Sequence, residues 1–104
     1  SRGWLGIEPQ DITSDLAKAF NLDSTKGIII ASLVPNGPAG QAGLLVGDIL
    51  LGMNDKNIID TDQMLNEIAG FPPKSQVKFK ILRSGKAQDV MVTLGQRPGA
   101  TSKK

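Results

Sequence analysis

The chain of 104 residues contains no cysteine and no histidine. Without cysteine it forms no disulfide, and its composition gives no indication of the redox compartment. Without histidine it cannot build a Ser-His-Asp triad, and it lacks the commonest zinc ligand. The stretches "NDKN" and "DSTKG" do not match a calcium loop, and "NGPAG" lacks the ending of a phosphate loop. We therefore expect this chain to be no enzyme itself and to hold no metal and no cofactor.

The chain is also poor in net charge and in long apolar runs. Its 12 basic and 10 acidic residues leave a formal charge of +2, too little to indicate nucleic acid as a partner. No run has the length of a transmembrane helix, and no signal-peptide pattern is present. We expect any export signal to lie in a segment outside this chain.

Aromatic residues are few as well, with one Trp, three Phe and no Tyr, so the core must be aliphatic. Residues 5–12 are predicted to be extended, and "TSDLAKAFNL" is predicted to be a helix capped by Thr13 or Ser14. "GIIIASLV" has the length and β-branched composition of a central strand buried on both faces. "DILLGMN" is predicted to be the next strand, after a short helical turn that starts at Pro38 and ends at Gly43.

The second half of the chain has the clearest helix start. Asp60 and Gln63 form a capping-box pattern in front of "TDQMLNEIA", and residues 77–94 alternate as a hairpin that turns at Ser84–Gly85. The strands do not alternate with helices in βαβ order. We predict a mostly β, α+β domain over residues 1–96, a five- to six-stranded antiparallel, partly open barrel or sandwich capped by two helices. Residues 97–104 are expected to be a polar, disordered tail.

The central segment "AGLLVGDILLGMNDKNI" resembles the signature of PDZ domains, which pairs A-G-L/I with G-D-x-I/L and an N-G/D-K-x-I hairpin. A mild departure is Asp55, where Gly is frequent, because Asp also tolerates a left-handed turn conformation. The matching positions are Ala42, Gly43, Leu44, Gly47, Asp48, Leu50, Asn54, Asp55, Lys56 and Ile58.

The opening "RGWLGI", followed by "SDLAKAF", narrows the resemblance to PDZ domains of the HtrA/Deg family of trypsin-like serine proteases, of the DegS, DegP and DegQ type. The resemblance covers about residues 2–95. It implies a regulatory module that captures C-terminal peptides of misfolded exported proteins during stress, in a parent whose catalytic domain lies outside this chain. It also implies a bacterial periplasmic location, an inner-membrane anchor outside this chain, a homotrimeric parent and a monomeric isolated domain. The partners are then peptide C-termini and the parent's protease domain.

By the same resemblance, Trp4, Leu5, Gly6 and Ile7 form a loop that holds a peptide's terminal carboxylate through the N–H groups of Leu5, Gly6 and Ile7. The peptide adds as a strand along the segment from Ile7, which is β-augmentation. Leu5, Ile7, Leu65 and Ile68 are expected to line a pocket for an apolar last side chain. Arg2 is a further candidate beside the carboxylate, and Met64 is a further candidate that is offset toward the core. The groove residues are Ile7, Glu8, Pro9, Gln10, Thr61, Leu65 and Ile68.

Pro9 has no N–H to donate, so we expect the hydrogen bonds to a ligand to stop after their first rung. The alternative is a bulge at Glu8–Pro9 that turns this position toward solvent. Leu65 and Ile68 are open to another interpretation as plain core residues, and "RGWLGI" as an ordinary turn with Trp4 over the core. For the whole chain, the alternatives are an adaptor of another exported system, such as a secretion component or an intramembrane protease, and an oligomer-assembly domain.

Overall fold

The computed structural model describes residues 2–97. Its eight strands and three helices are β1 (Gly3–Trp4), β2 (Ile7–Asp11), α1 (Ser14–Ala19), β3 (Ile28–Leu33), α2 (Pro38–Gln41), β4 (Ile49–Met53), β5 (Lys56–Asn57), α3 (Thr61–Ala69), β6 (Gln76–Arg83), β7 (Lys86–Thr93) and β8 (Gly95–Gln96). The predicted polar tail lies outside the described residues, apart from Arg97.

All strand pairs are antiparallel. The main sheet has the order β2-β3-β4-β6-β7, with β5 paired to β4, and a separate two-stranded sheet joins β1 to β8. The α+β fold class predicted from the sequence is confirmed, and α2 is the helical turn expected at Pro38. The pairing of Gly3–Trp4 with Gly95–Gln96 was not predicted. It brings the two ends of the domain together beside α3.

The helix starts follow their capping residues. Thr13 accepts a hydrogen bond from the Leu16 N–H at 3.1 Å, and Asp60 accepts one from the Gln63 N–H at 2.9 Å. The Gln63 side chain does not complete the reciprocal bond of a capping box. Its Oε1 accepts from the N–H of Ile59, one residue earlier, at 2.9 Å. Side chains therefore satisfy backbone N–H groups at the start of α3.

The core is aliphatic around one aromatic ring. Phe79 on β6 is fully buried and packs with Ile28, Ile30, Met64 and other apolar residues of the main cluster. A smaller cluster under α1 holds Ile12, Ala17, Ile29 and Ile49. The prediction that β3 is buried on both faces holds for Ile28–Ile30 and is wrong for residues 31 and 32, which are exposed; β4 pairs with β3 only at Ile28 and Ile29.

One carboxylate is buried among the described residues. Asp48 is 2% exposed, and Arg83 holds it with two bonds of 2.9 and 2.7 Å while donating a third to the Gly43 carbonyl. Asp48 also accepts from the Leu45 N–H at 2.8 Å. These bonds raise the pKa of Arg83 above its ordinary value, chiefly through the hydrogen bond to Asp48. The pair ties the loop from Gly43 to Asp48 onto β6.

Candidate functional site

The loop between β1 and β2 is anchored through its carbonyl groups. The Leu5 carbonyl accepts from the Ala39 N–H of α2, and the Gly6 carbonyl accepts from the Val34 N–H after β3, both at 3.0 Å. Gly6 has a φ of +79°, in the left-handed region, and a Cβ there would lie 3.0 Å from the Pro38 Cδ. Glycine is required at this position on both grounds. In a trans peptide the carbonyl and the following N–H point in opposite directions, so the N–H groups of Gly6 and Ile7 face away from these anchors.

Two N–H groups of this loop have no acceptor within residues 2–97. Neither Leu5 nor Gly6 donates to any acceptor within residues 2–97, although both residues are buried. Buried backbone donors are nearly always paired with protein, water or a ligand, because an unpaired one costs about 1–3 kcal/mol. The loop is thus arranged as a donor site for an acceptor from outside.

The N–H of Ile7 extends this donor set along β2. The bond from Val34 to Gly6 flanks the pair Ile7–Leu33, which makes that pair the non-hydrogen-bonded type of an antiparallel ladder. The N–H and carbonyl of Ile7 consequently point away from β3. Because β2 is the edge of the main sheet, they point into the groove between β2 and α3.

A pocket of about 630 Å³ lies at the loop end of this groove. Five of the residues predicted from the sequence line it, and four further ones complete it. The predicted residues are Arg2, Trp4, Leu5, Leu65 and Ile68, and the others are Gly3, Ala69, Gln96 and Arg97. Its floor and walls are apolar, and its two arginines and Gln96 are its polar lining.

The α3 stripe divides into an exposed and a buried part. Leu65 is 42% exposed and lines the pocket, whereas Ile68 is 2% exposed and belongs to the main core as well as to the pocket wall. Met64, one position offset, is fully buried in the core. Thr61 is half-buried at the first turn of α3 and lies outside the pocket, at the far end of the groove.

The β2 residues alternate between two faces. Ile7 and Pro9 are half-buried on the side of the core, and Glu8 and Gln10 are exposed on the other face. Ile7 packs against the main core and is not among the residues that line the pocket, which include Trp4 and Ala69. The strand therefore contributes chiefly backbone groups to the groove.

Two walls of the groove meet at Asp11. Its Oδ1 accepts from the Thr61 N–H at 2.8 Å, which connects the end of β2 to the start of α3. The backbone bond from Thr61, together with one from the Thr61 side chain, lowers the pKa of Asp11 below its ordinary value of 3.8. The carboxylate is therefore ionised at neutral pH and holds the first turn of the helix.

Sequence reasoning missed the pocket residues Gln96 and Arg97, which a two-residue strand places there without any periodic signal. Ala69 was within reach of the helical spacing, since it follows Leu65 by four positions. The described part of the chain contains no group of side chains that could hold a metal ion. It also contains no helix with the length and apolarity needed to span a membrane.

Comparison with known families gives a consistent result. A profile of the PDZ domain family matches residues 3–94. A probable periplasmic serine endoprotease described as DegP-like, from Pseudomonas putida, is 38% identical over 98 residues, 94% of this chain and 20% of that protein. A similar protein from Halomonas elongata is 37% identical over 98 residues, 94% of this chain and 21% of that protein. The chain thus spans about a fifth of the length of these relatives.

Solved structures show the same similarity. An HtrA-type protease, AlgW, with a decapeptide superposes with a TM-score of 0.83 and 34% identity, covering 93% of this chain and 30% of that one. The HtrA3 PDZ domain bound to a phage-derived ligand, FGRWV, gives a TM-score of 0.75 over 89% of this chain and 85% of that one. At 19% identity, the second match concerns the fold alone.

Proposed function

The chain belongs to the PDZ domain family, and on this premise we propose that it binds the C-terminal carboxylate of a peptide at the N–H groups of Leu5, Gly6 and Ile7. The observation that carries the proposal is the loop whose carbonyls are anchored and whose N–H groups are left without acceptors. A carboxylate accepts several such bonds at once, and charge-assisted bonds are the strong ones. Backbone donors have no side-chain pKa, so this capture persists over a wide pH range.

The rest of the ligand lies along the open edge of β2 as an added antiparallel strand. Ile7 offers its N–H and its carbonyl to that strand, and α3 forms the opposite wall. The fold supports this arrangement because β2 is paired on one side only. The main chain of the ligand supplies affinity, and its side chains supply selectivity.

The pocket receives the last side chain of the ligand. Leu5, Leu65 and Ile68 give an apolar lining, and an unpaired charge on this side chain would be costly to bury. Burial of a Leu or Phe side chain contributes about 1.5–3 kcal/mol. With the ordering of the peptide opposing it, a dissociation constant in the micromolar range, about −8 kcal/mol, is expected.

The wider role follows from the relatives. We infer that the chain is a module of an HtrA-type serine protease, in which peptide capture regulates the protease or feeds it with unfolded exported proteins. The name "periplasmic serine endoprotease" of the relatives supports a periplasmic location. A membrane anchor and a trimeric parent are further expectations from the family resemblance. Catalysis then belongs to a domain outside this chain, because this chain has no histidine.

Amide-resolved NMR tests the carboxylate site directly. Titration of the ¹⁵N-labelled chain with an N-acetylated heptapeptide that ends in Ala-Val-Leu should shift the amide signals of Leu5, Gly6 and Ile7 most strongly. The signals of Lys78 and Lys80 on β6 should stay in place. Sedimentation of the same samples separates peptide binding from an assembly role, because a groove used between protomers would change oligomeric state when the peptide fills it. Largest shifts outside the loop and groove would contradict the proposal.

A further inference from the structure

Pro9 occupies the place on β2 where a bound strand would seek its next donor. Pro9 is paired with Ile30, whose N–H donates to the Asp48 carbonyl and whose carbonyl accepts from the Gly47 N–H, both at 2.9 Å. The backbone groups of Ile30 thus point toward the side of β4, so those of Pro9 point to the open edge. Proline has no N–H, and this edge position offers a carbonyl only.

The register irregularity at Glu8–Pro9 does not remove this gap. The ladder passes from the pair Glu8–Ser32 to the pair Pro9–Ile30, so the extra residue, Ala31, is on β3. The alternation of β2 continues without interruption, and Ile7 and Pro9 share one face of the strand. The alternative prediction placed a bulge at Glu8–Pro9 that would turn this position toward solvent. A bulge is present, but the backbone of Pro9 still points to the groove.

The bond between Asp11 and Thr61 closes the groove at the next edge position. A strand hydrogen-bonded to β2 lies about 4.8 Å from it, and side chains require further width. At Asp11 the space up to α3 is crossed by one carboxylate, whose Oδ1 lies 2.8 Å from the Thr61 nitrogen. A ligand strand cannot pass this level unless the bond breaks.

These two features leave a short groove. From Ile7 to Asp11 the strand advances about 13 Å, and from Ile68 back to Thr61 the helix covers about 10 Å. An extended peptide uses about 3.3 Å per residue, so the shorter wall, α3, has room for about three residues. We propose that Pro9 and the Asp11–Thr61 bridge limit recognition to the last three residues of the ligand. This proposal rests on the proposed function, and it makes Pro9 and Asp11 residues that determine specificity.

Upstream residues of a longer ligand then leave the groove and contribute little. The test compares N-acetylated Ala-Val-Leu with an N-acetylated heptapeptide that ends in the same three residues, by calorimetry on the same protein. We expect the two dissociation constants to agree within about threefold. A heptapeptide that binds more than about tenfold tighter would overturn the proposal without any variant. If neither peptide binds, the proposed function fails, and the limit on length fails with it.

Variants of the two residues give the positive test with the same two peptides. Because Ile7 faces the last residue of the ligand, Pro9 faces the third-last residue, which both peptides contain. Pro9→Ala restores one donor there and should tighten both peptides roughly 2- to 12-fold, the range of one net hydrogen bond. Asp11→Ala opens the far end and should tighten the heptapeptide relative to the tripeptide. Gln88→Ala, at an exposed position on β7, is the matched control and should leave both affinities unchanged. Unchanged affinities in folded Pro9→Ala, or an unchanged ratio of the two peptides in folded Asp11→Ala, would contradict the proposal.

Discussion

Replacing Gly6 by alanine tests the donor loop through its backbone. The residue has a φ of +79°, where a Cβ costs about 1–2 kcal/mol, and this Cβ would also lie 3.0 Å from the Pro38 Cδ. The loop must therefore shift by a few tenths of an ångström at the atoms that face the ligand. Restriction of the unfolded chain offsets about 0.4–1 kcal/mol of the cost. We expect a net loss of about 1 kcal/mol in the free energy of unfolding.

The loss in binding should be larger than the loss in stability. Hydrogen bonds to a charged group contribute about 1.5–3 kcal/mol, so misplacing one or two donors should weaken a free-acid peptide roughly 10- to 150-fold. Two other glycines provide controls. Gly43 has a φ of +96° with open space around its Cβ position, and Gly40 lies in α2 with no atom within 4 Å.

Urea denaturation and peptide titration of the three variants separate the causes. Gly43→Ala should lose about as much stability as Gly6→Ala but keep wild-type affinity, because its loop is remote from the groove. Gly40→Ala should gain about 0.5–1 kcal/mol, as a helical glycine does, and also keep affinity. Wild-type affinity in a folded Gly6→Ala protein, or equal losses of affinity in Gly43→Ala, would refute the reasoning.

Three further changes test other parts of the structure. Leu65→Glu puts a charge on the pocket wall at a residue that is 42% exposed. It should abolish peptide binding in a fluorescence titration and leave the melting temperature nearly unchanged. Met91→Glu, at a residue of β7 that is 52% exposed, is the control and should bind the peptide normally. The pKa of Asp11 in the folded chain lies below its ordinary value of 3.8. Its contribution to stability is therefore present above that pH and is lost as the pH falls through the folded-state pKa. In Asp11→Asn the urea midpoint should depend less on pH between pH 5 and 2 than in the wild type. Arg83→Ala leaves the Asp48 carboxylate buried without its cation and should lower the urea midpoint far more than Lys56→Ala, which removes the exposed pair with Glu67. Equal midpoints for the last two variants would contradict the structural role of the buried pair.

Local chemistry made much of the fold predictable. Thr13 and Asp60 are caps whose side chains can satisfy helix N–H groups within three residues, and Ser84–Gly85 suits a tight hairpin turn. Such bonds depend on neighbours in the sequence. The sheet between β1 and β8 depends instead on residues more than 90 positions apart, and two-residue strands have no periodicity that would announce them.

The candidate site was predictable in part for the same reason. Helical spacing placed Leu65 and Ile68 on one stripe, but only the packing shows that Ile68 is buried while Leu65 is open. Ile7 is half-buried and packs against the main core, which its position in the sequence did not indicate. The bridge from Asp11 to Thr61 spans 50 positions and could be found only in three dimensions.

The most direct test of the central claim is the affinity of one peptide in two terminal forms. The heptapeptide ending in Ala-Val-Leu is measured by calorimetry as the free acid and as the C-terminal amide. The amide removes the charge and places N–H groups against the N–H groups of Leu5, Gly6 and Ile7. We expect a loss of at least about 2 kcal/mol, roughly 30-fold, for the amide. Equal affinity of the two forms would contradict a carboxylate site at this loop.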